Sequence, residues 1–194
     1  MAIIVTNRKL CCDDFLRRVE LLASSKPNAI ILREKDLENC DYESLAIEVK
    51  KICQKYGVDF FVNSFIDVAI KLNIKNIQLS FDDFLNYQDR LNSFSNIYVS
   101  IHSLTEGKTA QNLGADAIIA GHIFETSCKE GLKPRGLAFL KELYENIDIS
   151  IIAIGGINEK NFKDVLKNGA KDFCIMSEGM KTDNPESFCD KFKL

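Results

Sequence analysis

The sequence predicts a (β/α)8 barrel. Three observations carry that reading: eight short apolar runs recur along the 194 residues, amphipathic stretches of helical spacing separate them, and one helix-to-strand turn occurs twice. Apolar runs of four or five residues without polar alternation are the mark of strands buried on both faces of a parallel sheet. Strands that alternate with helices build βαβ units. Eight such units in 194 residues leave roughly 24 residues each, tight but workable for a barrel with short loops.

In chain order, the predicted strands are Ala2–Asn7, Ala29–Arg33, Phe60–Asn63, Asn76–Leu79, Asn96–Ser100, Ala117–Gly121, Ser150–Ile154 and Asp172–Met176. Between the second and third, Leu45, Val49, Ile52 and Cys53 stand at i, i+4, i+7 and i+8, the stripe of a helix laid on a sheet. Phe162, Val165 and Leu166 make the same pattern before the eighth. Leu113-Gly114-Ala115-Asp116 leads into the sixth strand and Asn168-Gly169-Ala170-Lys171-Asp172 into the eighth. In each, a glycine closes a helix in the left-handed conformation and the chain turns directly into a strand. The alternative, an open doubly wound sheet, calls for G-x-G-x-x-G after its first strand, and Asn7-Arg8-Lys9-Leu10 has no such pattern. The expected organisation is a single barrel domain over residues 1–194.

Composition narrows the function classes. Hydrophobic residues at 46% and charged residues at 27% describe an ordinary globular chain. A formal charge of -3 leaves no basic surplus for a phosphate backbone, so nucleic acid is excluded as the expected partner. A local pocket can still be positive and take a small anion. The cysteines, at 11, 12, 40, 53, 128, 174 and 189, are odd in number and form no C-x-x-C pair, which points away from a disulfide framework or zinc site and toward a reducing compartment. With neither a signal-peptide pattern nor an apolar stretch near the ~18 residues of a membrane span, the expected location is cytoplasmic. Apolar helices on a short barrel suggest a homodimer.

The unusual polar residues cluster where the predicted strands end: Arg33 and Lys35, Asn63, Asp83, Ser100 and His102, His122 with Thr126 and Lys129, Gly155-Gly156, and Ser177. In a barrel those ends form one mouth, which carries the active site. Arg33/Lys35 and Ser100/His102 are spaced i, i+2, so each pair projects to one side if the extended backbone continues through it. The structural alternative is that strand ends are simply where chains turn polar. Gly155 and Gly156 after the seventh strand, with Ser177 after the eighth, fit a phosphate cradle of bare backbone amides and a hydroxyl. A turn that merely requires positive φ would also use such glycines. Of only two histidines, His122 follows its strand directly, and imidazole can take and return a proton near neutral pH. Packing or capping is the alternative role there, and at a helix start His102 reads as structural.

These residues resemble the thiamine-phosphate synthase superfamily in order: Arg33-Glu34-Lys35, Asn63, Val99–Ser103, Gly114-Ala115-Asp116 with Gly121–Lys129, and Ile152–Ile157. The similarity covers nearly the whole chain. Within that superfamily, Gly121–Leu132 followed by Pro134-Arg135-Gly136 is similar to the thiazole tautomerase branch. The resemblance implies a TIM barrel and an isomerase of thiamine biosynthesis. Its substrate would be a carboxythiazole phosphate whose ring is not yet aromatic, and no cofactor is implied. His122 would move the proton, while Gly155, Gly156, Met176 and Ser177 would hold the phosphate. Arg33, Lys35, Asn63, Ser100, Thr126 and Lys129 would meet the rest of the substrate, and Cys128 is read as a bystander.

The synthase itself is the alternative. It joins a pyrimidine methyl pyrophosphate to thiazole phosphate with the help of Mg2+. Its pattern departs here at three positions, with Ile31 for glutamine, Ser64 for the first aspartate and His122 for proline, while Asp83 matches the second aspartate and would hold the metal. A non-catalytic regulator that binds a thiazole phosphate is the third reading, without a helix-turn-helix signature to support DNA contact.

Overall fold

The computed structural model describes residues 2–126 and 131–193. Eight strands follow one another in sequence order around a closed parallel barrel: β1 (Ala2–Val5), β2 (Ala29–Leu32), β3 (Asp59–Asn63), β4 (Asn76–Ser80), β5 (Asn96–Ile101), β6 (Ala117–Gly121), β7 (Ser150–Ile154) and β8 (Asp172–Ile175). Helices follow the strands: α1 (Phe15–Ser24), α2 (Asn39–Tyr56), α3 (Ile66–Lys71), α4 (Phe81–Asn86), α5 (Leu104–Asn112), α6 (Gly136–Tyr144), α7 (Phe162–Lys167) and α8 (Ser177–Lys181). All eight predicted strands are present. Three stop earlier than predicted, because Asn7 caps a 3-10 turn at Arg8–Leu10, Arg33 begins the bend into a turn, and Met176 caps α8. The connection after β2 is short, with helix from Asn39 onward.

Two compact units are described in turn. One comprises Met1–Gln78, Ser93–Ser95 and Met176–Leu194. Within it β1, β2, β3 and β4 pair in parallel, with Ile31 opposite both Val5 and Phe61, and Asn63 opposite Gln78. Every residue of β1 and β2 is buried, as strands covered on both faces require. The buried stripe of α2 is Tyr42, Ala46, Val49 and Cys53, so the stripe begins a turn earlier than the apolar letters suggested and leaves Leu45 and Ile52 half-buried. Tyr42 is fully buried because its hydroxyl is satisfied: it donates to the Leu32 carbonyl at 2.6 Å and accepts from the Asn63 amide at 3.2 Å. Its ring stacks on Phe65 at 3.7 Å. Buried Arg18 on α1 donates to Asp13 and to the Thr182 carbonyl, tying the first helix to the segment after α8.

The other unit comprises Leu79–Asn92 and Asn96–Ile175. Here β5 alternates, with Ile97, Val99 and Ile101 buried and Tyr98 and Ser100 half-buried, whereas all of β6 is buried. The side chains of α4 and α5 begin with hydroxyl caps: Ser80 accepts from the Asp83 amide and Ser103 from the Glu106 amide, both at 3.1 Å. Gly114 and Gly169, just past α5 and α7, sit at φ +89° and +99°, the left-handed closures expected from the repeated turn.

Candidate functional site

In the second unit, the end of β6 and the turn after β7 are built against each other. Gly121 stands opposite Ile154, and the Ile123 and Phe124 amides donate to the carbonyls of Ile154 (2.9 Å) and Gly155 (3.0 Å). A Cβ on Gly155 would lie 2.4 Å from His122 Cβ and 2.8 Å from its Cα, and one on Gly156 would lie 2.4 Å from the Glu125 carbonyl oxygen. Both glycines also hold positive φ, +103° and +67°. Their lack of side chains therefore admits the His122–Glu125 backbone itself, a requirement distinct from the approach of an anion. Asn161 donates to the Gly156 carbonyl at 2.9 Å and fixes the far side of the turn.

His122 follows β6 and is 9% exposed. Its Nε2 lies 3.2 Å from the Leu132 carbonyl oxygen, its own carbonyl accepts from the Arg135 amide at 3.0 Å, and the Ile123 carbonyl accepts from Gly136 at 3.0 Å. Arg135 adds a second bond from Nε to the Gly121 carbonyl, also at 3.0 Å. Thr126 is half-buried in the same loop and Ser100 half-buried on β5. His102 is exposed beyond the end of β5; its amide donates to Glu106 Oε2 at 2.6 Å, the position at a helix start that its surroundings predicted. Asp83 is half-buried in the first turn of α4. Lys129 and Cys128 lie outside the described residues.

The first unit holds Arg33, Lys35, Asn63, Met176 and Ser177. The extended backbone on which a same-side Arg33/Lys35 pair depends ends at Leu32, and Glu34 to Leu37 closes as a turn through a 3.2 Å bond, with Arg33 half-buried and Lys35 exposed. Glu34 between them is 2% exposed, accepting from Thr6 Oγ1 at 2.7 Å and from the Arg8 amide at 3.0 Å. Thr6 Oγ1 in turn accepts from the Arg33 amide at 3.0 Å, so Glu34 and Thr6 set the backbone from which Arg33 projects. Arg8 bridges on to Asp36 through both terminal nitrogens at 2.6 and 2.8 Å, and these hydrogen bonds, with that of Lys9, hold the Asp36 carboxyl well below its ordinary range.

Asn63, at the end of β3, is 3% exposed. Its Nδ2 donates to the Gln78 side chain, while its Oδ1 is buried without a hydrogen-bond partner. Ser64 follows at φ +65°, an uncommon conformation for a residue other than glycine. Met176 and Ser177 are half-buried at the start of α8.

Thr6, Glu34 and Gln78 escaped the sequence reading. Only the polar letters at strand ends could have flagged them, and Glu34 looks from sequence like one more loop charge. Leu132 and Arg135 carry the resemblance to the tautomerase branch, but their contacts with His122 were not legible, because they reach it from ten or more residues away.

Residues 2–178 match the family model described as thiamine monophosphate synthase. A thiamine-phosphate synthase of Persephonella marina is 32% identical over 193 residues, 98% of this chain and 92% of that protein. A putative thiamine-phosphate synthase 2 of Aquifex aeolicus is 34% identical over 167 residues, 86% of this chain and 90% of that protein. Among solved structures, thiamine phosphate pyrophosphorylase from Pyrococcus furiosus superposes with a TM-score of 0.87 at 26% identity, covering 98% of this chain and 92% of that one.

Proposed function

The chain belongs to the thiamine monophosphate synthase family, and from that premise we propose that it is the isomerase of that family rather than the coupling enzyme: a thiazole tautomerase that aromatises a carboxythiazole phosphate. The observation that carries this reading is His122 at the position of the synthase proline, with one ring nitrogen held by the Leu132 carbonyl and Nδ1 without a hydrogen bond among the described residues. The imidazole removes the proton from the ring carbon that bears the carboxylate and returns a proton to the exocyclic carbon. No atom is gained or lost, and the aromatic product lies downhill. Positioning with an acid–base gain of ~10²–10⁴ is enough for such a step.

The remaining roles follow the resemblance. Gly155, Gly156, Met176 and Ser177 hold the substrate phosphate. Arg33, Lys35 and Asn63 meet its carboxylate, and Ser100, Thr126 and Lys129 complete the binding residues. The chain acts as one barrel domain.

A transferase reading has its own support in the names of the relatives, which are those of thiamine-phosphate synthases. That reaction calls for Mg2+. Where the family places two aspartates this chain offers the Asp83 carboxylate and the Ser64 hydroxyl, and magnesium seats favour carboxylates together with substrate phosphates. The donor set does not fit a two-carboxylate seat, and no step is assigned to a metal. The test between the readings is His122→Ala: aromatisation should disappear while the aromatic carboxythiazole phosphate still binds, and unchanged turnover would remove the isomerase.

A further inference from the structure

A carbonyl oxygen can only accept, so the 3.2 Å contact between His122 Nε2 and the Leu132 carbonyl requires a proton on Nε2. The neutral ring then carries its lone pair on Nδ1, which has no hydrogen-bond partner among the described residues. The chain around this contact is a strap. From Leu132 to Gly136 it makes four bonds to three consecutive residues: the Leu132 carbonyl on the ring, the Arg135 amide on the His122 carbonyl, Arg135 Nε on the Gly121 carbonyl, and the Gly136 amide on the Ile123 carbonyl. Gly155 also packs against His122, where even a methyl group would overlap its Cβ. The imidazole is therefore fixed both in place and in tautomer.

We infer that the Leu132–Gly136 strap makes Nδ1 the nitrogen that exchanges the substrate proton, with Arg135 as the positioning residue that holds the strap on His122. This rests on His122 as the acid–base group of the isomerase reading. In the reaction, the C–H bond at the ring carbon breaks and its proton goes to Nδ1. The imidazolium keeps Nε2–H on the Leu132 carbonyl, a bond that strengthens when the ring is charged. The Nδ1 proton then forms the new C–H bond at the exocyclic carbon, and the neutral Nε2–H tautomer returns. Other proton-transfer histidines hold one nitrogen on an accepting group for the same purpose.

Nitrogen-15 NMR of the full-length protein tests this without relying on turnover. There are two histidines, so His102→Gln identifies the His122 signals. In the neutral form of the ring, the expected result is a proton on Nε2. A ring protonated at Nδ1, or an even mixture, would overturn the inference even if His122→Ala abolishes aromatisation. Arg135→Ala is the second arm. It should lower kcat about 10²-fold, the cost of a displaced catalytic group, leave KM within about twofold and mix the tautomers. Wild-type kcat with an unmixed ring would refute the positioning role. The reading beneath it fails separately, when His122→Ala still aromatises the substrate.

Discussion

Gly155→Ala tests whether the turn after β7 is shaped by His122. The new Cβ would lie 2.4 Å from His122 Cβ, 2.8 Å from its Cα and 3.2 Å from the Ile123 amide nitrogen, and two of these three are backbone atoms that cannot rotate away. Residue 155 would also hold φ +103° with a side chain. Strain in such a region costs about 1–3 kcal/mol, and forcing a methyl into a filled space about 1–3 kcal/mol more. The sum, about 2–6 kcal/mol, compares with the 5–15 kcal/mol typical of a whole domain. Gly114→Ala is the matched control. It holds φ +89° with nothing within 4 Å of its Cβ, so it suffers the strain alone. Urea midpoints at equal slope should place Gly155→Ala below Gly114→Ala by the overlap component, about 1–3 kcal/mol. Relief of the overlap by moving His122 should also cost turnover. Equal stabilities for the two variants would refute the packing argument, and full activity in Gly155→Ala would refute the dependence of His122 on it.

Two further outcomes follow from buried polar groups. Tyr42→Phe removes the hydroxyl shared by the Leu32 carbonyl and the Asn63 amide; it should destabilise by about 1–3 kcal/mol in thermal unfolding, and a change below about 0.5 kcal/mol would mean that those groups find other partners. Burial pushes the Cys53 thiol up to about 12 and the Cys11 thiol up to about 11, from 9.0. Because these values are raised in the folded state, their contribution is fully present below pH 9.0 and is lost as pH rises toward about 11 and 12. Urea midpoints should therefore decline between those limits, less steeply in Cys53→Ala, and an identical slope in the variant would contradict the burial argument.

The barrel was legible because its signal is local. Each strand is a short apolar run whose two faces are both covered, so the letters alone place β6 and β7 to the residue. Gly114 and Gly169 announced themselves for the same reason, since a left-handed closure depends on one residue. The end of β2 was less legible. A spacing of i, i+2 between Arg33 and Lys35 says nothing about where the extended backbone stops, and the turn is decided by Glu34, whose partners Thr6 and Arg8 lie 28 and 26 residues away. His122 was visible as a lone histidine after a strand. Its tautomer was not, because the deciding carbonyl belongs to Leu132, an exposed leucine with no sign of function in its side chain. The same holds for Asn63, where the orphaned Oδ1 emerges only once Gln78 is placed beside it.

The most direct measurement is a pair of assays on one preparation. The protein is mixed with the non-aromatic carboxythiazole phosphate without added metal, and the aromatic chromophore is followed; it is separately given the pyrimidine pyrophosphate, thiazole phosphate and magnesium, and thiamine phosphate is followed. The isomerase account predicts rapid appearance of the chromophore, lost in His122→Ala, and no coupled product. Thiamine phosphate formation without aromatisation would contradict it, and would assign the chain to the transferase reaction with Asp83 as its remaining metal carboxylate.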